Sequence, residues 1–173
     1  MRRHRIAAVM LAAALAVGAG ATAAGAAVTT AKAPVCKGKT KKKALKAVKA
    51  TWTQVLDFTT PPSRPLEDHF AAIQGSDDPE FAAVLTQIAN TNAGLLPTVT
   101  VKINKVTCQG KKKAQVLYDL VISGAASPGL AGPGFAVLEG KHWLMSQGTV
   151  CDLFSLADPT LVESGPCAEI AGG

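Results

Sequence analysis

The chain has 173 residues, a formal charge of +6 and four cysteines. About 147 residues remain once the leader described below is set aside, enough for one domain with a real core and too few for two. Zinc is disfavoured, since no two cysteines stand in a short C-x-x-C spacing, and no metal or cofactor is expected.

Met1-Arg2-Arg3-His4-Arg5 is followed by an uncharged stretch from Ile6 to Gly20 and then by small residues. This is the order of a secretory signal peptide, with cleavage expected between Ala24 and Ala27. An apolar run of about 15 residues is short of the ~20 that span a bilayer, so residues 1–26 are read as a removable leader and no transmembrane segment is expected in the mature chain. Export and four cysteines favour two disulfides, with three connectivities open. Residues 27–44 form a basic segment: Lys32 to Lys49 holds eight lysines and no acid, whereas residues 50–173 hold seven bases against twelve acids.

Residues 45–171 read as a single domain. Leu45, Val48, Trp52, Val55 and Leu56 recur at helical spacing, with Lys42, Lys46 and Lys49 mostly off the stripe, and Pro61-Pro62 ends that helix. A short second helix is expected from Pro65 to Ile73, with Leu66, Phe70 and Ile73 inward, His69 at the boundary and Gly75 as the stop. Asp77-Asp78-Pro79-Glu80 announces a third, because an Asp cap and a Pro at the first helical position suit unpaired N–H groups. Its buried stripe is Phe81, Val84, Leu85 and Ile88, and Gly94 is the expected C-cap.

After Pro97 the period becomes two. Val99, Val101 and Ile103 alternate with polar residues up to Cys108, and Gln109-Gly110-Lys111 turns the chain. Ala114, Val116, Tyr118, Leu120 and Ile122 share one face of the partner strand. Gly124 to Gly134 reads as a plain loop, and Phe135–Leu138 with Trp143–Thr149 as a second hairpin. Cys151–Leu156 reads as a final helical turn or two. Three helices and then four mainly antiparallel strands give an α+β order, in which a curved sheet wraps a helix and leaves a conical cavity.

"AIQGSDDPEFAAVL" (72–85), "YDLVISGAASPGLAGPGFAVLEGKHW" (118–143) and "VCDLFSLAD" with a late "GPC" (150–158, 165–167) resemble the C-terminal domain of the mycobacterial low-molecular-weight secreted antigen family, over about residues 50–170. The resemblance implies a nuclear-transport-factor-2-like, or cystatin-like, cone, an exported actinobacterial protein and a Cys151–Cys167 bridge. It brings no established enzymatic chemistry. Gly140-Lys141-His142-Trp143 carries one residue more than the family's usual turn, so a bulge or a longer turn is expected there. A Cys36–Cys108 bridge is expected too, although neither cysteine belongs to the pattern that carries the resemblance.

His142, Cys151 and Asp152 invite a thiol-hydrolase reading. Nine residues of extended strand would put His142 and Cys151 roughly 30 Å apart, whereas a base works at about 3 Å. No catalytic residue is therefore assigned. Tyr118, Asp57, Trp143, Phe70 and Phe81 are the expected pocket residues, and Tyr118 with Asp57 is the pair an enzyme of this shape would use as acid and base. Lys37, Lys39, Lys41, Lys42 and Lys43 are candidate polyanion contacts. Nucleic acid is disfavoured for an exported protein. The expected function is a non-enzymatic exported domain that binds a small apolar molecule, an envelope component or a protein.

Overall fold

The computed structural model describes residues 33–59, 64–157, 159–162 and 165–171. The leader 1–26, its cleavage site and Pro61-Pro62 lie outside them. Helices α1 (Lys41–Leu56), α2 (Leu66–Phe70) and α3 (Pro79–Thr91) precede strands β1 (Val99–Cys108), β2 (Lys113–Ile122), β3 (Ala125–Ala126), β4 (Gly132–Glu139) and β5 (His142–Met145). Helices α4 (Gln147–Ala157) and α5 (Pro166–Ala171) close the domain. The sheet is antiparallel, in the order β1-β2-β4-β5 with β3 on β2, and it curls into a half-barrel.

Helix α1 lies against β1 and β5. It starts at Lys41, a turn before Leu45, and buries Ala44, Val48, Thr51, Trp52, Val55 and Leu56 while its lysines stay exposed. Thr51 Oγ1 donates to the Trp143 carbonyl at 2.7 Å, tying the helix to β5. Strands β2, β4 and β5 each present one face to this layer. On β2 the buried residues are Ala114, Val116, Tyr118 and Leu120, and on β5 they are Trp143 and Met145, which leaves His142 in solvent.

Asp78 caps α3 by accepting from Glu80 N and Phe81 N, both at 2.9 Å. The C-cap is Asn92 and not Gly94, because the Asn92 side chain itself donates to the Ile88 carbonyl at 2.8 Å and satisfies the last turn. Helix α2 stops at Phe70, three residues short of Ile73. The chain there is taken up by β5 instead: Met145 N donates to the Ala72 carbonyl and Gln74 N to the Met145 carbonyl.

The second half of the chain departs further from expectation. The segment read as a plain loop contains β3, which makes the sheet five-stranded where four were expected. A two-residue turn at Ser123-Gly124, both at positive φ, folds β3 back on β2, the geometry that such hairpins demand. Strand β4 begins at Gly132, three residues before Phe135. Its glycines are needed there, since a Cβ at Gly132 would lie 2.2 Å from Tyr118 Cε1 and one at Gly134 would lie 2.9 Å from Trp52 Cζ2.

The bulge expected near His142 is absent from the β4–β5 hairpin: Glu139 pairs with His142 across Gly140-Lys141. The irregularity lies instead between Ile103 and Lys105 in β1, where Asn104 Nδ2 donates to Asp119 Oδ2 at 2.8 Å. Finally, the return strand ends at Met145 and not at Thr149. Ser146 Oγ accepts from Thr149 N at 3.3 Å, and residues 147–157 are the three-turn helix α4. Two disulfides, Cys36–Cys108 and Cys151–Cys167, brace the domain.

Candidate functional site

Four amphipathic elements meet over the concave sheet without closing it. Their apolar stripes leave a cavity of about 180 Å³. Val55 and Leu56 come from the end of α1, followed by Phe58; Phe70 and Ile73 come from around α2; Leu85, Ile88 and Ala89 come from α3. The sheet contributes Val99, Leu120, Ile122 and Met145, and α4 contributes Val150, Leu153 and Phe154. Asn92 is the polar member of the lining, and its amide is already committed to the Ile88 carbonyl. None of the lining side chains titrates.

Of the expected pocket residues, Phe70 lines this cavity. Phe81, in the first turn of α3, is fully buried in the core and does not line the cavity. Trp143 points into the layer under α1, with Nε1 donating to the Pro34 carbonyl at 2.9 Å. Asp57 follows the end of α1, where its Oδ1 accepts from the Thr59 backbone N at 3.0 Å and from Thr59 Oγ1 at 2.8 Å. Tyr118 lies edge-on to Trp52, with ring centroids 6.0 Å apart. Burial pushes its hydroxyl up to about 12, and the Asp152 carboxylate adds to the rise. The acid that Tyr118 feels is thus Asp152 of α4. At neutral pH this phenol stays protonated and can donate a hydrogen bond, far from the pKa near 7 that suits proton transfer.

Cys151 is oxidised to a disulfide with Cys167 and is no nucleophile. His142 and Cys151 are not separated by nine residues of extended strand as expected, because α4 and not a strand covers residues 147–151. The contribution of α4 to the cavity is not among the expected pocket residues, because Trp143–Thr149 reads as strand and Cys151–Leu156 as only a turn or two of helix. Its signal was present: Ser146 as a cap, then Val150, Leu153 and Phe154 at helical spacing.

His69, expected at a boundary, is only 1 % exposed. Its ring stacks on Phe58, with centroids 4.2 Å apart and planes 15° from parallel, so it backs one wall of the cavity. Nδ1 has no hydrogen-bond partner among the described residues. Desolvation lowers its pKa below the usual 6.5; the Arg64 charge also lowers it, while the Gln54 and Val55 carbonyls and Asp68 act in the opposite sense.

The linkage has a definite sign. Below pH 6.5 the unfolded imidazole takes up a proton that the folded one still refuses. Stability complete above about pH 6.5 is therefore lost as the pH falls through the folded value. The melting temperature should drop between pH 7.5 and pH 5.5, and His69→Leu should flatten that drop. A profile unchanged by the substitution would assign the acid sensitivity to other groups.

The family model of the low molecular weight antigen MTB12 C-terminal domain matches residues 40–160. Comparison with curated proteins and with solved structures finds no match.

Proposed function

The chain belongs to the low molecular weight antigen MTB12 C-terminal domain family, and from that premise we propose that it is an exported, non-enzymatic domain that takes a small neutral apolar group into its cavity. The observation that carries this reading is an apolar lining with one committed amide and no charged group. An ionised ligand head inside it would lose its hydration with nothing to replace it. Size narrows the class, since a hydrocarbon-lined cavity of roughly 150 Å³ holds a benzene ring. A six-carbon ring or a short neutral chain that enters whole fits.

Export through residues 1–26 is part of the proposal, supported by the leader pattern and by two disulfides, which persist in oxidising compartments. The curled sheet over α1 agrees with a nuclear-transport-factor-2-like cone. Acid–base catalysis by Tyr118 and Asp57 has less support, because the phenol is poised for retention of its proton and neither residue lines the cavity.

Octanol and octanoate separate the possibilities. At ten times its dissociation constant a ligand that binds only the folded state adds about 1.4 kcal/mol, and 1-octanol should raise the melting temperature accordingly while octanoate at pH 8 should not. Ala89→Phe, which fills the cavity from α3, should abolish the octanol effect. An equal shift from both ligands, or a shift that survives Ala89→Phe, would overturn the proposal.

A further inference from the structure

The lysine-rich segment is not a detached arm. Cys36 N donates to the Lys111 carbonyl at 3.0 Å, and the Cys36–Cys108 bridge joins the same two stretches, 72 residues apart in sequence. The β1–β2 turn, carrying exposed Lys111 and Lys112, is thereby fastened beside exposed Lys37 and Lys39. Helix α1 extends the row. Lys42, Lys46 and Lys49 stand on one exposed face at i, i+4 and i+7, covering about 10 Å at 1.5 Å per residue.

The row is electrostatically costly as it stands. The first turn of α1 holds no acid and has no side-chain cap, and Lys41, Lys42 and Lys43 occupy the positive end of the helix dipole. On the adjoining end of β4, Glu139 is engaged by Gln74 Nε2 at 2.6 Å. Cations gathered against one another and against a dipole gain most from an anion supplied from outside.

We propose that this stripe, from the exposed face of α1 to the β1–β2 turn, binds a linear polyanion with phosphate groups along its length, and that the Cys36–Cys108 bridge assembles it. A line of point charges matches a charged polymer better than a bilayer. Membrane-surface helices insert apolar side chains, whereas the apolar face of α1 is buried in the core and the exposed large apolar residues Leu95, Leu117, Leu156 and Ile170 lie on other elements. Single-stranded nucleic acid calls for aromatic platforms, and Trp52, the aromatic residue of α1, is fully buried.

The test uses long-chain inorganic polyphosphate and the oxidised protein. Engagement of about four phosphates should weaken binding roughly 50-fold between 50 and 200 mM salt. Lys42→Glu/Lys46→Glu and Lys111→Glu/Lys112→Glu should each lower affinity by about tenfold or more, with melting temperatures no lower than the parent's as the folding control. Full binding by the Lys111→Glu/Lys112→Glu protein would overturn the composite surface. No binding, salt-independent binding, or equally tight binding to phosphatidylglycerol vesicles at the same phosphate concentration would overturn the polymer assignment.

Discussion

Replacing Cys36 and Cys108 together by serine should lower the stability by about 4 kcal/mol in non-reducing denaturant titrations. The bridge closes a sequence separation of 72 residues, and in the chain-entropy model the unfolded ensemble gains that freedom when the link is cut. Replacing Cys151 and Cys167, which close 16, should cost about 3 kcal/mol. The two values lie close because closure entropy grows only with the logarithm of loop length. Native contacts act in the same direction at the longer bridge. Cys36 N pairs with Lys111, Thr40 Oγ1 donates to the Val35 carbonyl at 2.9 Å, and Pro34 receives the Trp143 indole. A long-loop variant less affected than the short-loop one would show that loop entropy does not govern these bridges.

Trp52→Ala should cost 3–5 kcal/mol, the range for emptying a buried aromatic site (about that much in well-packed cores). The indole is fully buried between the sheet and α1. It meets Tyr118 edge-on and lies over the bare backbone of Gly134, so the strands beneath it are held by their ladder and cannot move in to fill the space. Trp52→Phe should cost distinctly less. It keeps most of the apolar contact, and it removes a buried Nε1 that has no hydrogen-bond partner among the described residues. Urea unfolding of both variants gives the comparison, and a phenylalanine as damaging as alanine would contradict this account of the layer.

Much of the architecture could be read from local pattern, because local physics fixed it. The α1 stripe, the Asp78 cap and the alternation along β2 each depend on residues within one element. The failures share a cause. Gly132-Pro133-Gly134 has the composition of a loop, yet it pairs with Val116–Tyr118 because two rings from elsewhere need a strand without side chains. Ser146 could cap a helix or continue an alternating strand, and the cap prevails. His69 carries a polar ring that suits a boundary, but Phe58, itself partly buried, stacks on it and helps shut it off from solvent.

The candidate site divides in the same way. Phe70 could be named as a pocket residue from an apolar stripe; Val150, Leu153 and Phe154 could not, because Trp143–Thr149 reads as strand and the helical turns of Cys151–Leu156 alone are too short to show an inward stripe. Tyr118, Trp143 and Phe81 are aromatic and inward, which is all that pattern can say, and the difference between lining a cavity and filling a layer depends on what stands opposite.

By itself the sequence determined the family, the α+β order and the inward face of most elements, since spacing and caps act over a few residues. Only the tertiary structure decided where the unfilled volume lies, which phenol and carboxylate influence each other, and that two lysine runs 70 residues apart share one surface. Those are properties of distance, and distance is set by disulfides, sheet register and the packing of side chains that sequence keeps far apart.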